Sequence, residues 1–231
     1  MSLCFYAVCA GRPRQLGRRR GVARERLRAI ACGDLVAVVG EVPAPPALDA
    51  GTLRAYDATM RGLTTAVDAM LPVRFGTIVP DAAALCTVVG ERRAALTEAL
   101  ALVAGREQMT LRVFGDTARA KVRPSTRRAA PKSGRGAGAR YLNARRAVEA
   151  RAHAVPEIDW LRPALARFVR AERTERHERP PLLASVHHLI PRGRAAAYLA
   201  AVDRALRTRR AVRVVASGPS PAWAFASEDV A

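Results

Sequence analysis

The sequence predicts an α+β fold in two small domains, and three observations point there. The chain has 231 residues, half of them hydrophobic, which suits two cores of about 100 residues each. Apolar runs of strand length alternate with stretches of helical period along the chain. A basic segment over 116–140, with almost no large apolar residue, breaks the pattern between the halves. The boundaries are an N-terminal α+β domain over 1–105, a C-terminal ferredoxin-like domain over 106–217 carrying the long basic loop 116–140, and a Pro- and aromatic-bearing tail over 218–231. Aromatics are only 5 % of the chain, so the cores are built of Ala, Val and Leu.

In chain order, residues 3–10 are a short apolar run stopped by Gly11-Arg12-Pro13, a buried strand. Residues 12–24 are basic and Gly-containing, a loop. Runs 27–32 and 35–40 flank Gly33-Asp34, a two-residue turn composition that makes them a hairpin. The Pro run at 43–46 ends regular structure. Over 52–71 a helix is expected, with Leu53, Tyr56, Met60, Leu63, Val67 and Met70 on one stripe and Pro72 as its stop. A short extended piece covers 73–79. Asp81 caps a second helix reaching about 104, with Gly105 beyond it. Met109, Leu111 and Val113 alternate with Gln108, Thr110 and Arg112, the period of a half-buried strand.

In the second half, 141–151 is helix-prone. A helix resumes near 159 with Trp160, Leu161, Leu165, Phe168 and Val169 inward and Pro163 in its first turn. Residues 172–179 are densely charged and expected exposed. A strand over 182–190, a helix over 194–208 and a strand over 212–216 complete a strand–helix–strand–helix–strand order. Two helices on one face of an antiparallel sheet is a ferredoxin-like arrangement. The basic loop is either a solvated insertion or an arm for an acidic surface.

The formal net charge is +19 and almost all positive charge is arginine. Such a field suits phosphate or acidic partners; arginine spread along the whole chain equally fits a compositional bias. Cys4, Cys9, Cys32 and Cys86 form no CxxC pair and sit in apolar runs, so they read as buried, reduced thiols of a cytosolic protein. The N-terminal run has no charged region before it and is too short to span a bilayer, so a soluble, cytoplasmic protein is expected.

Chemistry is hard to find. The sequence holds no GxSxG elbow, HExxH, P-loop or GxGxxG after a strand. His187-His188 is the only His pair, and neighbours on a strand point to opposite faces, so one packs and the other faces solvent. Glu25, Glu41, Asp57, Asp68 and Asp81 show no spacing of a carboxylate pair. No catalytic residue, cofactor or metal is expected, and the chain reads as a non-enzyme. A basic ferredoxin-like sheet can bind RNA, but strands 108–113 and 212–216 contain no aromatic. That leaves only the nonspecific phosphate attraction. A basic nucleic-acid-binding module is therefore the alternative reading.

Two local motifs remain. Leu71-Pro72-Val73-Arg74-Phe75-Gly76-Thr77 reads as a helix-to-strand corner. Pro72 stops the helix, Phe75 packs and Gly76 allows an unusual backbone angle. A corner has little intrinsic need for a guanidinium, so Arg74 is either part of the corner or a candidate contact. Gly218–Phe225 is a Pro-rich segment that loses little entropy on docking, to its own protein or to a partner. Arg74, Phe75, Trp223 and Phe225 are the candidate partner-binding residues.

Taken in order, these motifs resemble the GvpF/GvpL gas vesicle family. They are the N-terminal Cys4-Phe5-Tyr6-Ala7-Val8, the Gly33-Asp34-Leu35-Val36-Ala37-Val38-Val39 hairpin, the Leu71–Thr77 corner, the strand over 105–113, the Gly138-Ala139-Arg140-Tyr141-Leu142 helix start and the 218–225 tail. The chain departs from the family pattern at Gln108, where Glu is usual, and at Ser220, Ala222 and Trp223 in the tail. The resemblance implies a two-domain α+β protein without enzymatic activity. It implies an accessory or minor structural protein of gas vesicle assembly, at the gas vesicle or in the cytoplasm. Its partners would be the hydrophobic gas vesicle shell protein and other accessory proteins, with no membrane and no specific nucleic acid.

Overall fold

The structure is a computed structural model that describes residues 1–115, 154–208 and 212–226. The expected basic loop over 116–140 and the helix over 141–151 lie outside the described residues. The fold is mixed α+β with two antiparallel sheets. The chain divides into two compact units, one of Met1–Met109, Leu189–Ala195 and Gly218–Ala231, the other of Thr110–His188 and Ala196–Ser217.

The first sheet has the order β2-β3-β1-β4, with β5 also paired to β1. Its strands are β1 (Ser2–Cys9), β2 (Leu27–Cys32), β3 (Leu35–Val42), β4 (Met70–Pro72) and β5 (Ile78–Val79). The β2–β3 hairpin turns at Gly33-Asp34 as expected, with Gly33 at φ +70°. Buried on both faces, β1 has a sequence of continuous rather than alternating apolar residues. A bulge shifts its register between Phe5 and Ala7 and reverses the side-chain parity. Cys4 and Tyr6 before the bulge, then Ala7 and Cys9 after it, join one core cluster. Phe5 and Val8 face the opposite side, with Val89 and Leu96.

Helix α1 (Ala50–Ala66) starts on a capping box. Asp49 accepts from the N–H groups of Gly51 and Thr52 at 2.7 and 2.9 Å, and the Thr52 hydroxyl accepts from the Asp49 N–H. It buries Tyr56, Met60, Leu63 and Ala66, while Leu53 is 44 % exposed. The expected helix over 52–71 is thus too long. Met70 is buried from a strand, because 70–72 pair with Cys9, Val8 and Ala7 of β1. The residue before Pro72 disfavours helix, and the vacant edge of β1 takes the segment instead.

The single helix expected to about 104 is two, α2 (Ala82–Glu91) and α3 (Arg93–Val103), broken at Arg92. Gly90, a poor helix former, precedes the break. The break lets Leu85 and Val89 of α2 and Leu96 and Leu100 of α3 all be buried. Cys32 and Cys86 form a disulfide, Cα–Cα 4.9 Å, joining β2 to α2. This corrects the expectation of four reduced thiols. Only Cys4 and Cys9 are free, and burial pushes Cys9 up to about 12.

The second sheet has the order β7-β8-β6-β9, with β6 (Arg106–Phe114), β7 (Ala171–Arg176), β8 (Leu182–Pro191) and β9 (Arg213–Ser220). β6 is buried on both faces as far as Leu111, including Gln108 and Thr110, against the half-buried expectation, while Arg112 is exposed as that pattern predicted. It also reaches Phe114, whose ring lies 5.5 Å from the Arg213 guanidinium. The charged segment over 172–179 is exposed or half-buried as expected, and its first part forms the sheet-edge strand β7. Charged side chains are how edge strands avoid pairing with other chains. In place of the helix expected from 159, a 3-10 turn over Pro156–Ile158 leads to the one-turn α4 (Arg162–Leu165). Helix α5 (Ala195–Leu206) buries Tyr198, Ala201 and Val202. Among the described residues, no helix is long and apolar enough to cross a membrane.

Candidate partner-binding face

The corner and the tail meet on Tyr56. The Val73 N–H donates to the Tyr6 carbonyl at 2.9 Å and the Phe5 N–H to the Thr77 carbonyl at 2.9 Å, so both sides of the corner are fixed to β1. Between them the Arg74 carbonyl accepts from the Thr77 N–H at 3.3 Å and from its hydroxyl at 2.9 Å, with Gly76 at φ +82°. This is a tight turn whose tip presents the exposed Arg74 side chain. Phe75 turns back and meets Tyr56 edge-on, ring centroids 5.3 Å apart. The Tyr56 hydroxyl donates to the Val73 carbonyl.

The tail docks on its own unit. Gly218 sits at φ +129°, and a Cβ there would stand 2.8 Å from the Gln108 carbonyl oxygen and 2.8 Å from the Met109 sulfur. Only glycine fits this close backbone approach. The Arg61 guanidinium, paired with Asp57 at 2.7 Å, also donates to the Pro219 carbonyl at 3.2 Å. The Ala224 N–H donates to Gln108 Oε1 at 2.9 Å, so the residue that departs from the family pattern holds the tail. A 3-10 turn over Trp223–Phe225 follows. Trp223 lies 5.8 Å from Tyr56, half-buried, while Phe225 is 1 % exposed.

Beneath this lies Tyr6, 5.7 Å from Tyr56 and roughly stacked on it. Its hydroxyl donates to Glu25 and accepts from the Val22 N–H at 2.9 Å, and the other Glu25 oxygen accepts from the Ala23 N–H at 2.9 Å. Burial, then the bond to Glu25, push the Tyr6 phenol far up, so it stays a neutral donor. A Cβ on Gly21 or Gly40 would collide with the Glu25 side chain; these two glycines leave the slot it occupies.

The candidate residues therefore play different parts. Arg74 is exposed at the turn tip, Phe75 and Trp223 are half-buried against Tyr56, and Phe225 is an internal anchor. Sequence reasoning placed Tyr56 on the helix stripe but missed it as the hub. The available signal was a Tyr one turn before Met60 on that stripe, where a buried hydroxyl must find a partner.

In the second unit, His188 is 3 % exposed, with Nδ1 2.7 Å from the Tyr198 hydroxyl and Nε2 3.0 Å from Glu172. Arg162 holds both Glu172 oxygens at 2.7 Å. His187 is half-buried, with Nδ1 3.1 Å from Thr110 Oγ1, so neither histidine simply faces solvent. Among the described residues, no cluster of three or more His, Cys, Asp or Glu could hold a metal ion.

The family profile described as gas vesicle synthesis protein GvpL/GvpF matches residues 3–227. The gas vesicle protein GvpF from Anabaena sp. PCC7120 is similar in structure, at a TM-score of 0.69 and 14 % identity, covering 98 % of this chain and 96 % of that one. GvpF from Microcystis aeruginosa matches at 0.72 and 12 %, covering 98 % and 99 %. At these identities the likeness carries the fold. No curated protein sequence matches.

Proposed function

Since the chain belongs to the gas vesicle synthesis protein GvpL/GvpF family, we propose that it is a non-catalytic accessory or minor structural protein of gas vesicle assembly. It acts at the gas vesicle, in the cytoplasm. It holds the apolar shell protein and other accessory proteins while a vesicle nucleates and grows. The observation that carries this reading is the face at Tyr56. Two rings half-open to solvent, Phe75 and Trp223, are fixed in place beside an exposed guanidinium. A shell subunit that exposes apolar surface aggregates unless that surface is covered. Rigid aromatics lose little side-chain entropy when they cover it, and Arg74 adds a directional donor for a carboxylate or carbonyl.

The test is co-purification of the full chain with a gas vesicle shell protein, at low and at physiological salt, with nuclease present. Retention at physiological salt is expected, because an apolar contact is insensitive to screening. Binding that vanishes with salt, or that needs surviving nucleic acid, would overturn the reading in favour of a basic nucleic-acid-binding module.

A further inference from the structure

A groove of about 830 Å³ opens on the first unit, and its lining includes none of the residues of the Tyr56 face. Its walls are the loop after β1, the β2–β3 turn, the C-terminal end of α1, one face of α3, and Arg192. Three guanidiniums line it, Arg12, Arg14 and Arg192, against two carboxylates, Asp34 and Asp68. Asp34 is already neutralised by Arg93 at 2.7 Å, so the groove is net positive. Exposed or half-exposed small apolar side chains, Ala10, Val67, Ala101 and Ala104, lie between the charges.

The Arg14 backbone and the Arg192 guanidinium are held in position. The Arg14 N–H donates to the Ala66 carbonyl at 3.0 Å, which pins the loop to the end of α1. Arg192 donates through Nη1 to the Val67 carbonyl at 3.0 Å and through Nη2 to the Asp68 carbonyl at 3.3 Å. A guanidinium has five N–H donors, so donors remain for a ligand. A cation at that helix end also suits the helix dipole.

We infer that this groove docks an acidic, amphipathic segment of a partner protein, with carboxylates on Arg12, Arg14 and Arg192 and small apolar side chains against Val67, Ala101 and Ala104. Charge complementarity selects the acid, and the apolar strip selects a peptide over a free anion. A single-stranded nucleic acid finds no aromatic in the lining on which to stack its bases. The inference rests on the reading above only for the source of the segment, another gas vesicle protein.

The probe is a fluorescein-labelled amphipathic peptide of about 15 residues, long enough to be helical, with Glu on one face and Ala and Leu on the other. A Glu-to-Gln twin is its neutral control. Fluorescence anisotropy on the full chain at physiological salt is expected to show binding of the Glu peptide and not of its twin. The pair Arg12→Ser/Arg14→Ser is expected to weaken binding roughly tenfold, as two charge-assisted contacts are lost. Ala101→Trp, which fills the groove without changing charge, is expected to weaken it as well. These side chains are exposed, and circular dichroism confirms that the variants fold. The control Arg54→Ser/Arg204→Ser removes the same charge elsewhere and is expected to bind as wild type. If the control weakens binding as much as the groove pair, or Ala101→Trp binds normally, the peptide is following overall charge and the groove is not its site. Displacement of the peptide by single-stranded DNA of matched charge would equally overturn the assignment. Arg74→Ala is expected to leave peptide binding unchanged, so loss of shell-protein binding and loss of groove binding are separable failures.

Discussion

The hub at Tyr56 and the chain of polar groups at His188 solve the same problem with different chemistry. Each buries a tyrosine hydroxyl and satisfies it. In the first unit Tyr56 donates to a backbone carbonyl and its ring touches Tyr6, Phe75 and Trp223. In the second, Tyr198 meets His188, which meets Glu172, which is held by Arg162. The first arrangement contains ring contacts and a backbone acceptor that do not titrate near neutral pH. The second depends on a carboxylate. Ring contacts and a backbone hydrogen bond keep the shape of the Tyr56 face across conditions, as a docking surface requires. An ionic chain fixes a core but ties it to pH.

The largest expected effect comes from removing the hub. Tyr56→Ala deletes a ring that is 4 % exposed and should destabilise the protein by about 3–5 kcal/mol in urea denaturation. It should also release the tail, seen as a red-shifted emission of Trp223 in a Trp160→Phe background. An unchanged spectrum would mean that the tail docks without Tyr56.

Next is Gly218→Ala. The added methyl meets the Gln108 backbone and the Met109 sulfur in a left-handed conformation. A loss of about 1–3 kcal/mol is expected, with proteolysis at the tail as the readout. A variant as protease-resistant as wild type would show that this close approach is not what holds the tail.

The smallest effect at neutral pH, and the one that separates the two regions, is Glu172→Gln. The hydrogen bond from His188, then the bonds and charge of Arg162, hold Glu172 down at about 2 against an ordinary 4.5. A depressed carboxylate contributes stability above its unfolded pKa, and that contribution is lost as pH falls from about 4.5 toward 2. Wild type should lose stability over that window, monitored by thermal melts. Glu172→Gln should start lower and show a flatter acid branch. Equal slopes would mean that the acid sensitivity lies elsewhere.

The parts of the fold that local rules control were legible. Strand β1, the Gly33-Asp34 hairpin and the Asp81 cap each carry their signal within a few residues. What tertiary context decides was not. β4 continues the helical stripe of α1 in sequence, and only the open edge of β1 turns Met70–Pro72 into a strand. β7 carries the charge of a loop because edges are defended by charge. The Cys32–Cys86 bridge joins residues 54 apart, and spacing alone does not fix connectivity. At the candidate site, the turn was readable from Gly76, whereas Pro72 is not the helix stop the sequence suggested but the end of β4, six residues after α1 ends. That Gln108 and Tyr56 receive the tail was not readable, because both contacts join segments more than 100 residues apart.

The central claim is that the face at Arg74, Phe75 and Trp223 is where this chain engages the gas vesicle machinery. The most direct test is vesicle formation in cells whose own copy is replaced by Arg74→Ala, scored by electron microscopy and buoyancy alongside the level of folded protein. The account expects normal protein levels with few or no vesicles. Vesicles at the wild-type level with Arg74→Ala would contradict it.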